Sequence, residues 1–225
     1  APLSVFLILI SPAIGSFLML LSDRLPRGED IVLKRSTCRS CNTPIRKRDL
    51  IPLLSYLLLR GRCRTCSAPI PPLLPAMECA AFALAVAAAL VAQSDLQMLL
   101  GCGFLWCLLA LFASDAQWFR LSDQLTGALL VLSLALAWED PYLNISDALI
   151  GAAAGSGSFF VIRVVYQKLR KREGLGLGDV KLMAGIGGAV GVSLIPMVVL
   201  IAALGALLWA IGRYLRFGQP LHGHA

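Results

Sequence analysis

Apolar residues in this chain come in long, nearly uninterrupted runs, without the periodicity of a half-buried helix or the alternation of a half-buried strand. Seven runs stand out, at residues 3–21, 73–91, 96–114, 125–138, 148–166, 180–190 and 192–215. A helix crossing a bilayer core needs about twenty consecutive apolar residues, and it satisfies every backbone polar group within the segment. The pattern therefore predicts an all-α polytopic membrane protein of about seven transmembrane helices. The runs at 125–138 and 180–190 are short, so tilting, local thinning or a partly re-entrant path is expected there. The intervening polar stretches divide the chain into a first span (1–22), a loop (23–72), a helical core (73–217) and a tail (218–225).

Composition agrees: 58% of residues are hydrophobic and only 15% charged, which excludes a soluble domain. The formal net charge of +7 would suggest nucleic acid in a soluble protein. Here the placement of charge argues for a lipid bilayer and against a nucleic-acid partner. If the first span runs inward, the inside connections are 22–72, 115–124, 167–179 and the segment after 215. All twenty Lys and Arg fall in or beside them, eleven in the first, with Arg163 in the turn before the third. The outside segments, 92–95, 139–147 and the turn near Gly191, carry acids or nothing, as the positive-inside rule requires. The first run lacks the basic start and small-residue cleavage pattern of a secretory signal, so it is expected to stay as a span.

The first inside connection contains Cys38-Arg39-Ser40-Cys41 and Cys63-Arg64-Thr65-Cys66, separated by twenty-one residues. Two such pairs supply four thiolates for a closed tetrahedral shell, the pattern of a structural Zn2+ site. Arg39, Arg62 and Arg64 are expected to favour the thiolates. A reducing compartment makes metal binding the better reading than a disulfide, and a redox pair is the alternative. The ion would fold a loop too small and polar to bury a core of its own. Cys79, Cys102 and Cys107 lie in apolar runs and read as buried small side chains.

Two aspartates mark the inside ends of apolar runs. Asp115 follows the run at 104–114, and Asp179 sits in Gly174-Leu175-Gly176-Leu177-Gly178-Asp179-Val180-Lys181, between a basic cluster and the next apolar run. Carboxylates this close to membrane depth are functional by default. Gly176 and Gly178 let backbone or an extended substrate approach the carboxylate. Like charges sharing a water are pushed apart in titration, leaving one protonated as general acid and one ionised as general base. For Asp115 the structural alternative is a helix-end charge paired with Arg120. Asp123 reads first as the N-cap of the next helix.

Gly176-Leu177-Gly178-Asp179 opening a span, the Asp115 segment ending in Asp123-Gln124-Leu125-Thr126, the paired Cys-x-x-Cys loop, and Gly15-Ser16-Phe17-Leu18 before Arg24-Leu25-Pro26 together resemble the type IV prepilin peptidases, membrane aspartic proteases of the GxGD class. The resemblance covers most of the chain, from about Gly15 to Phe217. It implies an endopeptidase of the bacterial inner membrane that removes the leader of type IV prepilins or type II secretion pseudopilins at the cytoplasmic face. Asp115 and Asp179 would be the catalytic pair. Many such proteins also methylate the new amino terminus with S-adenosylmethionine. By the same resemblance Glu78 is a candidate for cofactor binding, the alternative being an acid that complements the helix dipole.

Three positions depart from the family pattern. Met19 stands where asparagine is usual, Ser122 where proline is usual, and the family's eighth span is expected to be absent after Phe217. His222 and His224 read as a solvated tail. Two other function classes remain in view: a transporter using the aspartates for ion or proton coupling, and a catalytically impaired relative with a structural role. No charge lies at mid-depth in any run, which counts against the transporter.

Overall fold

Each apolar run becomes helix in a computed structural model of the chain, which describes residues 2–31, 35–172 and 174–217. His222 and His224 lie outside the described residues. Helix α1 (Pro2–Arg24) closes on a 3-10 turn, Leu25–Arg27, ended by Gly28 in the left-handed region at φ 65°. The loop that follows holds a second 3-10 turn, Lys47–Leu50, and the short helix α2 (Leu54–Leu58). Then come α3 (Leu73–Val91), α4 (Asp95–Trp118), α5 (Asp123–Glu139), α6 (Ile145–Arg170) and α7 (Leu177–Phe217).

Among the described residues five helices are long and apolar enough to cross a membrane, and the chain is a multi-pass membrane protein. The two runs expected to be short are handled differently. Helix α5 has 17 residues, about 26 Å at the usual helical rise and just under a bilayer core. The runs at 180–190 and 192–215 join into one 41-residue helix broken at Gly191, whose φ of 71° and ψ of 168° interrupt the helical path. Seven helical segments therefore stand on the seven runs. Helix α6 extends beyond its run to Arg170, which places Arg163 well before the last turn, not in it.

Small residues set the packing. Helix α1 crosses α3 at Gly15, where an added Cβ would sit 2.6 Å from the Met77 carbonyl oxygen and 2.8 Å from the Glu78 Cα. Trp106 of α4 donates its indole N–H to the Ala81 carbonyl of α3 at 3.1 Å, closing a core of Leu7, Leu18, Met77, Ala85, Cys102 and Ala110. On the other side of the molecule α7 lies between α5 and α6. Gly185 meets Leu129 and Gly188 meets Ser133, both on α5, while Gly187 and Gly191 face Gly151 of α6 almost backbone to backbone. Such close approach replaces the hydrophobic drive that lipid cannot supply. Beyond Gly191 the helix is almost wholly exposed. Of the three apolar cysteines, Cys102 and Cys107 are buried as expected. Cys79 is exposed, because it lies on the outward face of α3.

Candidate active site and metal centre

The metal centre is built from two copies of one local structure. Cys38-Arg39-x-Cys41-Asn42-x-Pro44-Ile45 and Cys63-Arg64-x-Cys66-Ser67-x-Pro69-Ile70 repeat the same pattern. In each, the first Cys N–H bonds the carbonyl five residues on (Thr43, Ala68), and the residue after the second Cys is left-handed (Asn42 φ 55°, Ser67 φ 58°). Matching β-bridges, Thr37 to Pro44 and Arg62 to Pro69, close the two knuckles. The repeat was legible in the sequence beyond the Cys spacing, through the shared Pro-Ile.

All four Sγ atoms lie within 4.8 Å of one another, and the Cys38 and Cys66 sulfurs are 3.7 Å apart. Zinc–sulfur bonds of about 2.3 Å in a tetrahedron put sulfurs about 3.8 Å apart, so this donor set fits a zinc ion. The thiols are free. Cys41 is held down at about 6 by the Thr43 hydroxyl and N–H, and Cys63 is lowered by the N–H groups of Cys66 and Thr65. For Cys66 the Ala68 N–H favours the thiolate, but desolvation and the other three sulfurs push it up to about 12. Four sulfurs this close resist full ionisation until a cation joins them. Two of the three arginines expected to favour the thiolates, Arg39 and Arg64, are engaged elsewhere. Arg64 binds Asp49 through two hydrogen bonds, at 2.6 and 3.0 Å, and Arg39 pairs with Asp23 at 3.1 Å.

Glu78 is buried in α3 beyond its first turn, which rules out the dipole role considered for it. Its Oε2 accepts the Leu53 N–H at 2.7 Å, and Leu53 takes a strained φ of 58° to deliver it. Glu78 lines a cavity of about 840 Å³ between the end of α1, the knuckles and Trp118, with Ser16, Arg24, Tyr56 and Asp49 also in its wall. Arg24, itself buried, donates to the Asp30 carbonyl at 3.0 Å and so organises the loop leaving α1. Met19, also buried, lines the same cavity and lies 3.9 Å from the Gln117 amide of α4, which also reaches Ser22 at 3.3 Å.

Asp115 stands in the last turn of α4. Its carbonyl accepts the N–H of Phe119, a left-handed C-cap at φ 50°, and Ser114 Oγ donates to the Arg120 carbonyl at 2.6 Å. These bonds turn the chain sharply after α4, exposing the Asp115 side chain at the helix mouth. Among the described residues Asp115 forms no ion pair with Arg120. Asp179 lies in the first turn of α7 and accepts the Gly176 N–H at 3.2 Å. The two aspartates are near enough for their charges to act on one another.

What brings them together is a glycine. A Cβ on Gly178 would lie 2.9 Å from the Cβ of Leu121, so the Gly-x-Gly-Asp turn packs directly on the α4–α5 loop. Two further contacts were not foreseen from sequence. Arg163 of α6 donates to the Leu175 carbonyl at 2.9 Å, and Lys181 pairs with Asp123 at 2.6 Å. Asp123 is therefore no N-cap. It is the first residue of α5, Ser122 occupies the cap position without a side-chain bond, and the carboxylate is drawn to Lys181 instead.

With this geometry in place, residues 9–92 match the bacterial peptidase A24 N-terminal domain and residues 102–211 match the type IV leader peptidase family. A prepilin leader peptidase/N-methyltransferase of Klebsiella pneumoniae is 38% identical over 204 residues, covering 88% of this chain and 90% of that protein. One of the same name from Burkholderia pseudomallei (strain 1026b) is 37% identical over 203 residues, covering 88% of this chain and 66% of that protein. A third, from Dichelobacter nodosus, is 30% identical over 248 residues, covering 98% and 87%. No solved structure matches the chain. Matched along both its halves and at this identity, the chain belongs to the type IV leader peptidase family.

Proposed function

We propose that this protein is an aspartic endopeptidase of the bacterial inner membrane, and that it removes the leader peptide of type IV prepilins or type II secretion pseudopilins at the cytoplasmic face. The observation that carries the reading is the packing of Gly178 on Leu121, which supports bringing Asp179 within electrostatic reach of Asp115 at the ends of two apolar helices. One carboxylate, ionised, takes a proton from the attacking water; the other, protonated, gives its proton to the departing amine. Gly176, where a Cβ would sit 3.3 Å from an Asp179 carboxylate oxygen, leaves room for the substrate backbone to lie extended against the pair, while the corresponding side of Gly178 is filled by Leu121. Both aspartates sit at helix ends on the side rich in Lys and Arg, which supports hydrolysis at a cytoplasmic surface over ion transport through the membrane. Residues 23–72 form the zinc-binding loop and 73–217 the protease core. The zinc is structural: four cysteines close its shell and leave no position for substrate.

A second activity, N-methylation of the new amino terminus with S-adenosylmethionine, is supported by one feature. The cavity of about 840 Å³ is large enough for that cofactor and has a buried carboxylate, Glu78, in its wall. When bound, the cofactor supplies an electrophilic methyl group; Glu78 and the residues around it would hold it.

Co-expression with a type IV prepilin, in a host lacking its own peptidase, tests both activities through the intact mass of the pilin. The parent chain is expected to remove the leader and add one methyl group. Asp115→Asn and Asp179→Asn should each lower cleavage by about a thousandfold or more. Prepilins left uncut by a folded, zinc-loaded parent chain would make it a catalytically impaired relative.

A further inference from the structure

Helix α2 is short, yet it is polarised. Ser55 and Tyr56 face the cavity, while Leu54, Leu57 and Leu58, at positions i, i+3 and i+4, point away from it. Leu57 and Leu58 are 71% and 73% exposed, and Ile51 just ahead of them is exposed as well. Arginines flank this apolar patch on both sides: Arg46, which also reaches the rim of the cavity, and Arg48 before it, Arg60 and Arg62 after it. All four are exposed and make no ion pair among the described residues.

Depth decides what covers the patch. The Leu53 N–H, one residue before α2, bonds Glu78, which lies about 8 Å along α3 from its first residue, Leu73. Helix α2 is therefore tied beside the first turns of a membrane span, at the level of lipid headgroups and upper acyl chains. An apolar face with a basic rim at that level suits acidic lipid. A second copy of the chain docking here would set the arginines against their own counterparts.

We propose that α2 moors the metal-binding loop to the bilayer, with Leu54, Leu57 and Leu58 in the headgroup–acyl boundary and Arg46, Arg48, Arg60 and Arg62 on acidic headgroups. The mooring holds the cavity and the knuckles against the membrane face, independently of any cleavage chemistry.

The test uses the full zinc-loaded chain in nanodiscs containing phosphatidylglycerol, with the photo-crosslinking residue benzoylphenylalanine replacing either Leu57 or Leu90, a lipid-facing residue of α3 that is 83% exposed. After illumination, intact mass identifies what each position captured. Lipid adducts at Leu57 in yield comparable to Leu90 are expected. The Leu57 yield should fall in phosphatidylcholine alone, and also in an Arg46→Gln, Arg48→Gln, Arg60→Gln, Arg62→Gln variant of unchanged zinc content. Lipid capture at Leu90 alone would overturn the proposal, as would capture of a second copy at Leu57 in place of lipid. A Leu57 yield indifferent to both lipid charge and the four arginines would remove the electrostatic contact.

Discussion

Gly178 does what no other residue at its position could do, since any side chain would meet Leu121. Gly178→Ala is expected to push the turn away from the α4–α5 loop and lower kcat at least tenfold, a loss of about 1.4 kcal/mol in transition-state stabilisation. Zinc content and helical content should not change. Adding Leu121→Gly removes the Cβ that the new methyl group would meet at 2.9 Å and should restore most of the rate; a double variant as slow as the single one would show that the contact does not position the dyad. The Lys181–Asp123 pair is different in kind. Its side chains are 47% and 76% exposed, so it contributes at most about 1 kcal/mol to stability. Lys181→Ala should leave the unfolding midpoint nearly unchanged. Any effect on cleavage would then come from orientation, and the charge-swapped pair Asp123→Lys with Lys181→Asp should reverse it.

At the level of elements, the contact between α6 and α7 is made by Gly151, Gly155 and Gly187, with Met183 supplying a carbonyl at the crossing. Gly187→Leu has no room, because even a Cβ would overlap the Gly151 backbone. It should destabilise the bundle by roughly 1–3 kcal/mol, read as a lower midpoint in a denaturant titration in detergent. A midpoint unchanged by this substitution would mean that the helices do not cross at this glycine. Gly191 matters for a separate reason. At φ 71° and ψ 168° it occupies a region essentially reserved for glycine, and Gly191→Ala should cost about 1–3 kcal/mol as the break straightens or strains. Short α5 is held from both ends of its packed face: Leu129 and Ser133 receive Gly185 and Gly188 of α7, and Cys107 of α4 donates to the Leu125 carbonyl.

Across the whole molecule, the N-terminal portion (α1, the loop and α3) meets the rest chiefly along α4. Arg27 bridges the ends of α1 and α4, paired with Asp23 at 2.6 Å and stacked 5.1 Å from the Trp118 ring, three residues beyond Asp115. Trp118 also lines the cavity, so the cavity reaches the end of the helix that carries Asp115. Cys38→Ser with Cys63→Ser should release about one zinc ion per chain, because two of the four ligands of a closed shell are lost. The loop should then become sensitive to limited proteolysis while the membrane helices keep their circular dichroism. A loop still resistant to protease after complete loss of metal would mean that Arg64–Asp49 and the Leu53–Glu78 bond suffice to fold it.

Much of this was determined by the sequence alone, because the constraints involved are local or compositional. Burying backbone in lipid demands long apolar runs, so the positions of the helices followed from hydropathy, and the one-sided placement of Lys and Arg set an expected orientation. Four thiols in two identical spacings announced the metal site. The two aspartates stood out because charge near membrane depth is costly. What no run or spacing could reveal were the relations between distant segments. Asp123 looked like a cap by position, yet Lys181, fifty-eight residues away, attracts its carboxylate more strongly than the helix end does. Glu78 looked like a first-turn acid, but burial makes its carboxylate seek an N–H from a loop twenty-five residues back. Arg39 and Arg64 looked like partners for thiolates, and carboxylates from outside the knuckles claimed them first. A side chain's partner is decided by competition among all the groups that folding brings within reach, and only the tertiary structure states which those are.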